Sequence, residues 1–115
     1  MTEQLFSFGT LQNPKTQLDL FGRTFNASVD ILRGYKTVTI EIKDEAFLSK
    51  GEEKYQQTLI QTNNNNDCIK GIVLELTNEE LLLADKYEPE NYKRIKVEKK
   101  KGKETWVYIA DDTSL

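Results

Sequence analysis

The sequence predicts an α+β domain in which a mostly antiparallel sheet curls into a small β-barrel with short helices on its flank. Three observations carry this expectation. Strand-like segments and helix signals run in the order strand, short helix, several strands, one helix and a closing hairpin, without the strand–helix–strand alternation of a parallel sheet. Lys36 to Ile42 alternates apolar Val38, Ile40 and Ile42 with Thr37, Thr39 and Glu41, the period of a strand with one buried face. Thr77-Asn78-Glu79-Glu80 has the form of a capping box at the start of a helix. At 115 residues, 37% apolar and 30% charged, the chain has the size and polarity of one folded domain, expected over residues 1–110 with 111–115 as a loose tail.

The elements follow in order. Gln4 to Phe8 reads as a short strand ended by Gly9, with Leu5, Phe6 and Phe8 supplying β-favouring bulk. Pro14 is suited to the first turn of a helix running through Leu20 and Phe21, which Gly22 closes in the left-handed conformation. Asn26 to Leu32 is a second strand, with Arg33-Gly34 as a turn into the Lys36–Ile42 strand. Ala46 to Glu53 is polar and fits no element, and its length and polarity make the loop Asp44–Lys54 a candidate lid. Tyr55 to Thr62 is strand-like, and Asn63 to Asp67 is a polar loop. Cys68 to Leu76 is apolar without a break at Ile72-Val73-Leu74, as expected of a strand buried on both faces. The capped helix should reach about Lys86, followed by strands Tyr92–Glu98 and Thr105–Ala110 around a turn at Lys99–Lys103.

Composition narrows the chemistry. The chain has no histidine, which excludes a Ser-His-Asp or Cys-His arrangement and a zinc site built on imidazole. One cysteine, Cys68, can make neither an intrachain disulfide nor a thiolate zinc site, and it reads as a buried or incidental thiol. No glycine-rich phosphate loop is present, so no cofactor or metal is expected. A net charge of −3 offers no general attraction for nucleic acid or anionic membrane, and the basic cluster Lys99-Lys100-Lys101-Gly102-Lys103 reads as a solvated hairpin tip. The first residues lack the basic and apolar regions of a signal peptide, and the longest apolar run, Leu81-Leu82-Leu83-Ala84, is too short to span a bilayer. A cytoplasmic protein is the simplest expectation.

Two groups of residues together resemble a known pattern. The first is Leu5-Phe6-Ser7-Phe8-Gly9-Thr10-Leu11, then Gln17, Leu20-Phe21-Gly22-Arg23 and Leu32-x-Gly34-Tyr35. The second is Gly71-Ile72-Val73-Leu74-Glu75-Leu76, then Asp85-Lys86-Tyr87-Glu88, Tyr92-Lys93-Arg94 and Trp106-Val107-Tyr108. In this order and spacing they resemble the gamma-glutamylcyclotransferase-like, or AIG2-like, family. The resemblance implies a barrel with flanking helices and a site between the loop after the first strand and the end of the helix that carries the glutamate. It also implies a reaction: the α-amine of a small γ-glutamyl substrate attacks that substrate's own γ-carbonyl, 5-oxoproline forms, and the amine on the far side leaves.

Such a reaction asks for one acid/base group, because nucleophile and electrophile already share a molecule. The resemblance assigns this role to Glu88, with Asp85-Lys86-Tyr87-Glu88 fitting the family pattern from its aspartate onward. Taken alone, a glutamate at a helix end is an ordinary solvated carboxylate. The resemblance likewise assigns the backbone of Phe8-Gly9-Thr10-Leu11 to the substrate's oxygens, although the family carries tyrosine where this chain has Phe8 and often glycine where it has Pro89. Tyr92 is a candidate pocket wall and Arg94 a candidate partner for a substrate carboxylate. Trp106 and Tyr108 read as packing residues. A competing expectation is a binding module for a small ligand or a protein that keeps the pocket without turnover; oligomeric state is not legible.

Overall fold

The computed structural model describes residues 2–100 and 102–110. In chain order the elements are β1 (Thr2–Ser7), a single 3-10 turn (Thr10–Gln12), α1 (Pro14–Phe21), β2 (Ser28–Arg33), β3 (Tyr35–Glu41), α2 (Glu45–Leu48), β4 (Tyr55–Gln61), β5 (Cys68–Thr77), α3 (Asn78–Tyr87), β6 (Tyr92–Lys100) and β7 (Lys103–Ala110).

Local chemistry accounts for the helix ends. Asn13 caps α1 by accepting from Lys15 N at 2.9 Å, Pro14 fills the first turn, and Gly22 closes it at φ 74° with its N–H on Leu18 O. The capping box of α3 is complete: Glu80 N donates to Thr77 Oγ1 at 3.2 Å, and Thr77 N donates to Glu80 Oε1 at 2.9 Å. Glu80 also takes both forks of Arg23 at 2.8 Å, which ties α3 to the end of α1. Asp44 caps α2, the short helix inside the segment that sequence pattern left unassigned.

Five strands form one sheet in the order β2-β5-β1-β7-β6, antiparallel except where Leu5 of β1 runs parallel to Trp106 of β7. Each face of this sheet is buried in its own cluster. Leu5, Leu74 and Leu76 face α3 and the buried Leu81 and Ala84, whereas Phe6, Ile69 and Val107 face Leu32, Leu59 and Val97. Consecutive Leu5 and Phe6 are therefore both fully buried, while at the centre of β5 Gly71 and Leu74 are buried and Ile72 and Val73 partly so. Gly71 sits at this crowded point, where an added Cβ would lie 2.4 Å from Ser7 O.

The α+β class holds, and the barrel is not confirmed. Among the described residues the backbone ladders do not join into a closed barrel, because β3 and β4 form a separate two-stranded sheet. Side chains make the junction instead. Buried Thr58 Oγ1 of β4 accepts from Ala110 N of β7 at 2.7 Å, and Tyr92 Oη of β6 donates to Gln57 O of β4 at 2.9 Å. Cys68 is exposed at the start of β5 and is therefore an incidental thiol rather than a buried one. The expected loose tail, residues 111–115, lies outside the described residues, as do Lys101 and the side chains of Lys99 and Lys100 from the basic cluster. No helix among the described residues is long and apolar enough to cross a membrane.

Candidate active site

A cavity opens where β1 ends. One wall is the chain from Leu5 to Leu11, and a second is Glu88 and Pro89. Phe47 of α2, Gln56 and Gln57 of β4, Tyr92 of β6 and Tyr108 of β7 complete it. The cavity is narrow, about 40 Å³, and partly open to solvent.

Glu88 owes its position to the residue after it. Proline disfavours the helical conformation of the residue before it. Glu88 accordingly takes an extended backbone, φ −66° and ψ 153°, although its N–H still bonds Ala84 O at 3.2 Å. The chain thus leaves α3 at Glu88, and its carboxyl stands in the cavity wall. Buried Pro89 then accepts from Tyr92 N at 2.9 Å, closing the turn that starts β6. Burial pushes the Glu88 carboxyl up to about 8, helped by the negative charges of Glu52 and Asp85 and opposed by Lys50.

The opposite wall is held from behind. Leu11 is buried, and its carbonyl accepts from Nε2 of buried Gln17 at 2.8 Å, while Gln17 Oε1 accepts from Phe25 N. Thr10 and Leu11 open the 3-10 turn, where N–H groups lack acceptors within the turn. A Cβ at Gly9 would meet no atom within 4 Å, so the glycine leaves open space at the cavity lip. Phe8 lines the same lip and packs against the cluster around Phe6.

Phe8, Gly9, Thr10, Leu11, Tyr92 and Glu88 thus share one cavity. Arg94 does not join them. Its Nη2 bonds Asp85 Oδ2 at 3.1 Å, its Nε lies 3.0 Å from Asp85 Oδ1, and its guanidinium stacks 4.3 Å from the Trp106 ring. Arg94 is thus engaged by a carboxylate and an indole and does not line the cavity. Asp85 also receives the Tyr108 hydroxyl at 2.5 Å, so the aspartate of the motif braces β6 and β7 against α3.

Sequence reasoning missed Tyr108 as a cavity residue, and it missed the role of the segment from Asp44 to Lys54. That segment is anchored, contrary to the lid expectation. Phe47 is buried and meets Tyr87 edge-on at 5.9 Å, and Asp44 Oδ2 accepts from Glu90 N at 2.8 Å. Tyr87 Oη lies 2.6 Å from Glu52 Oε1 and 3.2 Å from Thr10 Oγ1. The phenols of Tyr87, Tyr92 and Tyr108 are all raised, first by burial. Tyr87 and Tyr108 are raised further by their bonds to Glu52 and Asp85, and Tyr92 by the charge of Glu88. All three remain protonated donors near neutrality. Among the described residues no group of three or more His, Cys, Asp or Glu side chains is placed to hold a metal ion.

Comparison with known proteins adds the family. A search of curated proteins found no match. Among solved structures, a protein of Arabidopsis thaliana matches with a TM-score of 0.66 and 17% identity over 96% of this chain, which spans 62% of that protein's length. A second Arabidopsis thaliana protein matches with a TM-score of 0.69 and 18% identity, covering 99% of this chain and 74% of the other. A structure described as a gamma-glutamyl cyclotransferase matches with a TM-score of 0.66 and 15% identity, covering 96% of this chain and 68% of the other. At these identities the likeness shows a shared α+β fold. The model of the family described as gamma-glutamyl cyclotransferase, AIG2-like, matches residues 5–115. The chain belongs to the gamma-glutamyl cyclotransferase, AIG2-like family.

Proposed function

We propose that this protein is a γ-glutamyl cyclotransferase-type enzyme that releases 5-oxoproline from a γ-glutamyl amine or peptide. The observation that carries the reading is Glu88 in the wall of the cavity that Gly9–Leu11 also line, with burial raising its carboxyl to about 8. A free α-amine titrates at about 7.7–8.0, so carboxyl and amine are matched for proton exchange in both directions.

Each step balances within one substrate. The α-nitrogen forms a bond to the γ-carbonyl carbon as Glu88 takes the proton from that nitrogen. The γ-carbonyl oxygen carries the negative charge while amides of the Gly9–Leu11 turn hold it. The carbon–nitrogen bond to the leaving amine then breaks as Glu88 returns the proton to the departing nitrogen. The five-membered lactam and the free amine are the products. The reading includes a small γ-glutamyl substrate as the only partner of the site and a cytoplasmic setting.

The second reading is a ligand-binding module without turnover. Phe8 favours it, because it brings no hydroxyl to the cavity lip. Release of 5-oxoproline from a panel of γ-glutamyl amides, compared between wild type and Glu88→Gln, separates the two. The enzyme reading expects release by wild type and a loss of about 10²–10⁴-fold in the variant. No release from any member of the panel, or equal release by both proteins, leaves the binding module.

A further inference from the structure

Two charged residues outside the cavity converge on the residue next to Glu88. Glu52 and Lys50 both lie in the segment between α2 and β4, and neither lines the cavity. The Tyr87 phenol carries one proton, and its 2.6 Å contact with the Glu52 carboxylate is the short, charge-assisted bond that takes it. The 3.2 Å contact with Thr10 Oγ1 is then made by the threonine hydroxyl donating to the phenol oxygen. Glu52 is thereby the anchor of a chain that runs through Tyr87 to Thr10 on the opposite cavity wall. Lys50 reaches the same residue from its other end, with Nζ donating to Tyr87 O at 3.1 Å and lying 5.0 Å from the ring centroid.

We infer that Glu52 and Lys50 are opposed positioning residues, which hold Tyr87 between them and set, in opposite directions, the pH at which Glu88 exchanges its proton. The inference rests on Glu88 as the acid/base of the proposed reaction. The groups facing Glu88 are Asp85 and Tyr87 on α3, Tyr92 on β6, Tyr108 on β7, and Lys50 and Glu52 on the anchored segment. Asp85 is already engaged by Arg94 and Tyr108, and the phenols are neutral. Glu52 and Lys50 are the two opposite charges that the anchored segment adds beside Asp85. Glu52 favours the protonated form of Glu88 and Lys50 the ionised form.

The test is a pair of charge-removing substitutions read without turnover. Protein labelled with ¹³C at glutamate carboxyls is titrated by NMR, with Glu88→Gln used to assign the Glu88 resonance. Glu52→Gln keeps an oxygen for the Tyr87 hydroxyl and should lower the Glu88 midpoint by about 0.5–1 pH unit. Lys50→Met should raise it by a similar amount. In the 5-oxoproline assay the optimum of kcat/KM should move the same two ways, a split that a purely structural role for either residue would not produce. If both variants leave the midpoint in place, or move it in one direction, the inference is overturned. If the midpoints part as expected while no γ-glutamyl amide is turned over, the tuning of Glu88 stands and the cyclotransferase reading falls.

Discussion

Replacing Glu88 by glutamine should stabilise the protein at alkaline pH while removing its acid/base group. Glu88 binds its proton more tightly in the folded chain than in the unfolded one, because burial raises the carboxyl from 4.5 to about 8. Its stabilising contribution is therefore complete below pH 4.5 and is lost as pH rises through about 8. At about 1.4 kcal/mol per pH unit, the full window corresponds to roughly 5 kcal/mol. Relaxation of water and neighbouring dipoles around the ionised group reduces this, so roughly 2–5 kcal/mol is expected. Glutamine keeps the shape of the neutral acid and carries no charge at any pH. Urea denaturation of wild type and Glu88→Gln at pH 5, 7 and 9 provides the measurement. Other titrating groups cancel in the difference between the two proteins. The variant should gain on wild type from pH 5 to about pH 8 and level off above it. A stability offset that stays constant within about 0.5 kcal/mol across that range would refute the argument that Glu88 is held neutral by burial.

Two further outcomes test the frame around the site. Arg94→Met should lower stability by about 1–3 kcal/mol, measured as a fall in urea midpoint, because Asp85 loses a charged donor and Trp106 its stacked cation. In an active protein it should leave KM within about twofold, since Arg94 does not line the cavity; a large rise in KM would instead make it a substrate ligand. Gly71→Ala should cost about 1–3 kcal/mol, because its Cβ would lie 2.4 Å from Ser7 O and 2.8 Å from Phe6 Cζ, and backbone yields less readily than a flexible side chain. Thermal unfolding reads that change, and an unaltered melting temperature would show that β1 and β5 can separate there at little cost.

Much of the site's local geometry was legible before any tertiary contact. Pro14 and Gly22 bracket α1, and Thr77 with Glu80 opens α3, since helix ends are set by residues a few positions apart. Pro89 belongs with them. By sequence it departs from the family pattern, in which glycine often stands at this place. In the fold it ends α3 at Tyr87 and holds Glu88 extended, an effect of one residue on its neighbour. Arg94 shows the limit of such reading. Strand alternation shows which residues share a face of β6, but not what lies against that face. Only packing reveals Asp85 and Trp106 there, with the cavity elsewhere.

The sequence by itself determined the α+β order of elements, the ends of α1 and α3 and the largely buried centre of β5, while the candidacy of Glu88 came from the resemblance to the family. Each of these follows from neighbours within a few residues, from hydrophobic period or from motif spacing. Tertiary structure alone decided that β1 lies between β5 and β7, that β3 and β4 stand apart from the five-stranded sheet, and that Glu52 meets Tyr87, 35 residues further along the chain. These depend on which strand edges pair and which polar groups find partners when both sheet faces are buried. That competition is settled among all elements at once, so no single segment carries its outcome.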